Sequence, residues 1–145
     1  MDNNVNVLDE INKGATMGMD AIMFVYDKVG DQTFKQVLDG EYRKYKNISE
    51  RVTAEYDKYS IKEPHSTNAM NKAMTWYGIQ MKTMKDQSNE KISELLVQGT
   101  NMGIIEGVRL QNQNQHNDLN ENVRQILDDF VAMQEDSVET LKKYL

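Results

Sequence analysis

Hydrophobic residues recur along the chain at alternating steps of three and four, the spacing of one face of an α-helix. A first stripe predicts a helix over residues 6–29, capped by Asn6 and closed by Gly30. A second stripe predicts a helix over residues 32–59, with Asp31 as its N-cap. No segment alternates cleanly between apolar and polar residues over several positions, so the predicted fold class is all-α.

The second half of the chain continues the same pattern. A stripe that starts at Met70 keeps its phase through Gly99, Met102 and Glu106. It predicts either one long helix over residues 68–113 or two helices that break near Ser88. Ser88 is a good N-cap for a second helix. We favour the break because residues 60–87 can then return the chain along the ~36 Å length of the first helix. A last helix follows a capping box formed by Asp118 and Glu121.

These helices form two hairpins within a single domain spanning residues 1–145. The first hairpin covers residues 6–59 and the second covers residues 88–145. Residues 60–87 form a crossover that contains the only proline, Pro64, and a predicted helix from residue 67 or 68. The crossover carries an apolar stripe of Met70, Met74, Trp76, Tyr77, Met81 and Met84. Such a stripe is more often core than a contact surface, although methionine is common at adaptable surfaces.

A short internal repeat links the two hairpins. Gly14 aligns with Gly99 and Gly18 aligns with Gly103. When the alignment is shifted by four more residues, residues 36–39 (Gln-Val-Leu-Asp) align with residues 125–128 (Gln-Ile-Leu-Asp). The repeat indicates an internal duplication. Glycine inside a helix costs about 0.5–1 kcal/mol relative to alanine, so the stripe 14, 18, 99, 103, 107 predicts close approach of the first and third helices. Close approach between two chains is the alternative.

Two helical hairpins joined by a long crossover resemble the ferritin-like superfamily, and the likeness covers nearly the whole chain as a pattern rather than as a motif. The resemblance implies a ferritin-like four-helix bundle with an additional crossover helix. Members with a di-iron centre place one Glu on each of two helices and Glu-x-x-His on each of the other two. The resemblance therefore raises the question of a metal site.

The sequence keeps little of that ligand set. Glu41 and Glu106 lie on the predicted inner lines of the second and third helices. Lys44 stands where the pattern after Glu41 requires His, and Ala21 stands where the repeat pairs Glu106. Phe130 and Met133 occupy the corresponding positions of the last helix, and His65 and His116 fall in predicted loops.

A complete di-iron centre is therefore not expected. Glu41 and Glu106, with Glu135 as a third carboxylate, are the weak candidates for a reduced metal site that would bind iron. The favoured interpretation is that Lys44 and Arg109, each three residues further on, satisfy these two carboxylates. The lost ligand positions would then have become ordinary core.

Composition narrows the classes of partner. The chain has 145 residues, a net charge of −6 and no cysteine. An acidic chain without a basic face does not favour nucleic acid or anionic lipid as a partner. The first residues lack the layout of a signal peptide, and no apolar run approaches the ~20 residues of a membrane span. A cytoplasmic location is expected.

These observations predict a non-enzymatic interaction or structural protein that self-associates, as a homodimer or otherwise, and needs no cofactor. The alternative is a metal-binding or redox protein that holds iron at Glu41 and Glu106. The missing Glu-x-x-His pattern favours the first function.

Overall fold

A computed structural model describes residues 3–59, 75–80 and 84–145. These residues form four long helices: α1 (Asn3–Tyr26), α2 (Gln32–Tyr56), α3 (Asn89–Gln113) and α4 (Glu121–Lys142). A 3-10 turn, Asp57–Tyr59, extends α2, and residues 75–80 are helical. The described part of the chain contains no strand, which confirms the all-α prediction.

Two predicted helix starts are confirmed by their caps. The Asp31 carboxylate accepts hydrogen bonds from the backbone N–H groups of Thr33 and Phe34, at 2.8 and 3.3 Å. The Ser88 hydroxyl accepts one from the backbone N–H of Lys91 at 3.2 Å. Residues 84–87 are not helical, so α3 begins at the predicted break near Ser88. Both caps satisfy backbone donors that the first helical turn leaves free.

Other predicted helix ends are wrong. Helix α1 already begins at Asn3, because Val7 in its second turn is fully buried and holds the early residues in the helix. It ends at Tyr26, so Gly30 is not its C-cap. Helix α4 is capped by Asn120 and not by Asp118. The backbone N–H of Asn120 donates to Asn4 of α1 at 2.7 Å, a contact between distant segments that a local capping rule cannot anticipate.

Cross-helix contacts set the direction of each helix. Hydrogen bonds between their opposite ends show that α1 and α2 are antiparallel, as are α3 and α4. Helix α2 also runs antiparallel to α4, because two ion pairs join them: Lys44 with Asp136 at 2.9 Å and Arg51 with Asp129 at 2.8 Å. Helices α2 and α3 therefore point the same way. The Asn89 amide donates to Asp31 at 3.0 Å, which places the starts of α2 and α3 side by side. The chain between Tyr59 and Ser88 thus joins opposite ends of a bundle about 37 Å long.

The core is built by the inner faces of all four helices. Its fully buried large side chains include Leu8, Ile11, Phe34, Leu38, Tyr56, Ile92 and Leu127. Tyr77, from residues 75–80, joins them at 7% exposure, and Trp76 and Met84 pack against the core. The predicted helix start at residue 67 or 68 lies outside the described residues, as do Pro64, His65, Met70, Met74 and Met81.

The buried line of α3 differs from the predicted one by a single position. The sequence places Met102 and Glu106 on the inner line, but they are exposed. The buried line instead passes through Leu96, Thr100 and Gly107. One residue corresponds to a rotation of about 100° around the helix axis. The prediction that Glu106 lies on the inner face of its helix is therefore wrong.

Candidate functional site

The glycines of α1 and α3 accommodate large side chains from other elements. A Cβ atom on Gly18 would lie 2.5 Å from ring atoms of Tyr45 in α2. On Gly14 it would lie 2.7 Å from Phe130 Cζ in α4. On Gly99 it would lie 2.7 Å from Tyr77 Cζ. These glycines thus make room for large side chains of α2, α4 and residues 75–80, and the predicted close approach of the first and third helices is not the contact that their missing Cβ atoms serve most directly.

Two of these contacts correspond to each other under the predicted duplication. Gly18 faces Tyr45 in the first hairpin, and Gly103 faces Gln134 in the second. The alignment that pairs residue 36 with residue 125 also pairs Tyr45 with Gln134, since both pairs are 89 positions apart. The packing supports the predicted duplication. It also shows that a glutamine in one hairpin takes the place of a tyrosine in the other.

A cavity of about 290 Å³ lies among the helices, and all five glycines of the stripe line it. Its walls come from α1, α2, α3, α4 and residues 75–80, and they are mostly apolar. Described lining residues include Ile22, Tyr45, Trp76, Tyr77, Leu96 and Phe130. The exposed side chains of Met102, Ile105 and Glu106 also line it, so the cavity reaches the surface at α3.

Gln134 is the unusual polar residue of this cavity. Its side chain is 2% exposed, and its Nε2 has no hydrogen-bond partner among the described residues. A Cβ atom on Gly103 or Gly107 would lie 3.7 or 3.8 Å from this Nε2. The two glycines therefore allow the amide to lie against the α3 backbone. An unpaired buried donor costs about 1–3 kcal/mol, which is why such groups are rare.

Hydroxyl groups complete the polar wall. The Thr100 hydroxyl donates to the carbonyl of Leu96 at 2.7 Å. Burial raises the pKa of Tyr77 to about 12. Burial is also the main cause that raises the pKa of Tyr45, partly offset by a hydrogen bond with Thr100. Both phenols are therefore neutral over the physiological pH range.

The structure brings Glu41 and Glu106 to the same cavity but gives them different surroundings. Glu41 is 4% exposed; its Oε1 accepts from Lys44 Nζ at 2.8 Å, and its Oε2 accepts from the buried Ser137 hydroxyl. The side chain of Glu106 is 62% exposed and pairs with Arg109 at 2.5 Å. Both carboxylates thus have the partners, Lys44 and Arg109, that the sequence predicts.

This arrangement does not fit a ferritin-type metal site. Among the described residues, no three His, Cys, Asp or Glu side chains lie close enough to hold a metal ion. Both oxygens of Glu41 are already engaged, and Glu135 and His116 are exposed. Iron binding at Glu41 and Glu106 stays a prediction.

One feature of the sequence indicates this site, although it is not among the predicted site residues. Gln134 lies four residues after Phe130 and three before Ser137, directly on the inner stripe of α4. An amide on such a stripe indicates either a buried hydrogen-bond network or a polar contact with a ligand. Whether its partner exists depends on the facing helix, which the stripe does not reveal.

No protein-family model, curated protein or solved structure matches this chain. Within the described ranges, no helix has both the length and the apolar content that crossing a bilayer requires. The cavity and its walls are therefore the features from which function can be argued.

Proposed function

We propose that the protein is a non-catalytic helical bundle that binds one small, neutral, largely apolar molecule in the cavity between α1 and α3. The volume of the cavity, about 290 Å³, carries this proposal. Protein interiors contain few voids larger than a water molecule, whereas an engineered apolar cavity of about 150 Å³ binds benzene. A ligand that fills the cavity takes its apolar walls out of water, which contributes roughly 25 cal/mol per Å² of apolar surface buried.

The charges of the wall favour a neutral ligand. Among the described lining residues the acidic side chains are Glu10, Glu41 and Glu106, and each pairs with a basic residue three positions later. Lys13, the basic side chain among those lining residues, is the partner of Glu10 at 3.0 Å. The wall thus offers no unpaired cation within the described ranges to attract a carboxylate or phosphate. Burying an unpaired ligand charge against apolar walls would be costly.

The protein carries its own reporter of occupancy. Trp76 is the single tryptophan of the chain and lines the cavity. Methylenecyclodecane, a compact hydrocarbon without aromatic absorption, is a suitable probe. We expect saturable binding of one molecule per chain, read as a change in Trp76 fluorescence, and an increase in the melting temperature because the probe binds the folded state.

A cavity-filling variant tests whether the probe occupies this site. Ala21 lines the cavity and is 4% exposed, so Ala21→Leu should reduce the available volume and weaken binding. Ala54→Leu on the exposed face of α2 is the matched control and should bind as the unmodified protein does. Circular dichroism establishes that both variants fold. The proposal fails if no saturable binding occurs up to the solubility limit of the probe, or if Ala21→Leu binds as well as Ala54→Leu.

We also propose a ferritin-like relationship for the fold, supported by the parallel direction of α2 and α3 and the long connection between them. Self-association and a cytoplasmic location stay predictions. The exposed apolar side chains of Met102 and Ile105 are compatible with the first, and sedimentation velocity over a range of concentrations tests it.

A further inference from the structure

We infer that the ligand of this cavity carries a hydrogen-bond acceptor, a carbonyl or ether oxygen, that receives the Nε2–H of Gln134. This inference rests on the proposed function and specifies the chemistry of the same site. The observation behind it is separate from the cavity volume: a 2% exposed amide lines the cavity with its donor unpaired among the described residues.

The surroundings of Gln134 keep this donor available to a ligand. A Cβ atom on Gly103 would overlap Oε1 of Gln134, and one on Gly107 would lie 2.7 Å from Val131 Cγ2. Larger residues at either position would force the α4 side chains to move. Glycine at both positions therefore allows the amide to lie against the α3 backbone, with Nε2 close to neither a carboxylate nor a hydroxyl partner.

Neighbouring polar groups do not compete for this donor. The Glu41 carboxylate, the strongest acceptor that lines the cavity deep in the bundle, is engaged by Lys44 and Ser137. The Thr100 hydroxyl, which donates to the carbonyl of Leu96, does not accept a hydrogen bond from Nε2 of Gln134. Gln134 is thus the site at which a neutral acceptor on the ligand gains a hydrogen bond without displacing an existing one. A ligand with a neutral oxygen acceptor needs no cation in the cavity wall, and the described lining residues offer no unpaired one.

The test compares two probes of the same shape. Cyclodecanone and methylenecyclodecane differ in a carbonyl oxygen against a CH₂ group. Because the ketone absorbs weakly in the region where Trp76 is excited, isothermal titration calorimetry measures both affinities. A net hydrogen bond between neutral groups predicts that the protein favours the ketone about three- to tenfold over the hydrocarbon, after correction for their different transfer from water. Infrared spectroscopy of the bound ketone should show its carbonyl stretch shifted to lower frequency, as hydrogen bonding requires.

A pair of variants assigns the effect to Gln134. Gln134→Met keeps the length of the side chain and removes the donor, so it should abolish both the ketone preference and the infrared shift while the hydrocarbon still binds. Gln134→Leu serves the same purpose if the methionine variant does not fold. Gln125→Met, on the exposed face of α4, is the matched control and should retain both signals.

The outcomes separate this inference from the proposed function. If neither probe binds, the proposed function fails and the inference falls with it. If both probes bind equally well, the cavity is a ligand site but Gln134 donates to no ligand acceptor. If the ketone preference survives in Gln134→Met, another group is the donor and the inference is overturned.

Discussion

The contact between Gly18 and Tyr45 makes a sharp prediction for a single added methyl group. In Gly18→Ala the new Cβ would lie 2.5 Å from Cδ1 and Cζ of Tyr45, whereas real Cβ contacts below 3.0 Å essentially do not occur. The Tyr45 side chain is 5% exposed and lines the cavity, so the space into which its ring can move is the cavity itself. Either the ring or the α1 backbone must shift.

Two opposing contributions determine the change in the free energy of unfolding. Alanine is favoured over glycine inside a helix by about 0.5–1 kcal/mol. Overpacking a core typically costs about 1–3 kcal/mol. Gly40, inside α2, provides a control that isolates the first contribution, because a Cβ there meets no described residue within 4 Å. Gly40→Ala should therefore stabilise the protein by about 0.5–1 kcal/mol, and Gly18→Ala should be less stable than Gly40→Ala by about 1–3 kcal/mol.

Urea denaturation followed by far-UV circular dichroism measures this difference. In thermal melts it corresponds to roughly 3–10 °C for a chain of this size. In a Tyr45→Leu background the ring is absent, so the penalty for Gly18→Ala should shrink, and a double-mutant cycle yields the coupling free energy. The reasoning is refuted if Gly18→Ala stabilises the protein as much as Gly40→Ala does.

Three further changes test the polar groups of the bundle. Gln134→Met should raise the free energy of unfolding by about 1–3 kcal/mol in the absence of ligand, because it removes an unpaired buried donor; a loss of stability in urea titrations would contradict this. Lys44→Met should lower the free energy of unfolding by about 1–2 kcal/mol, because Glu41 then keeps only the Ser137 partner among the described residues. The control Lys142→Met breaks an exposed ion pair of the same spacing and should change the free energy of unfolding by less than about 0.5 kcal/mol. Burial raises the pKa of Tyr77 to about 12, so its neutral form stabilises the fold below pH ~10, and this stabilisation is lost as the pH rises from about 10 to 12. In urea melts at several alkaline pH values, Tyr77→Phe should therefore lose less stability than the unmodified protein.

The site could be predicted from the sequence only in part. The partners of Glu41 and Glu106 followed from spacing on one helix, and both ion pairs are present. The exposure of Glu106 did not follow, because a shift of one residue in the buried line of α3 turns it outward. The same stripe of residues is compatible with either rotation of the helix until the facing helices are in place.

The sequence by itself determined the four helices, the Asp31 and Ser88 caps and the two-hairpin order, because periodicity and capping act within a few residues of the chain. Only the tertiary structure decided that Asn120 caps α4 and that the glycines accommodate Tyr45, Phe130 and Tyr77. It also decided that Nε2 of Gln134 lies beside a cavity with no partner among the described residues. These outcomes depend on the rotation and separation of helices that are distant in the chain. Both quantities are set by how large side chains from different helices fit together, and no local pattern encodes that fit.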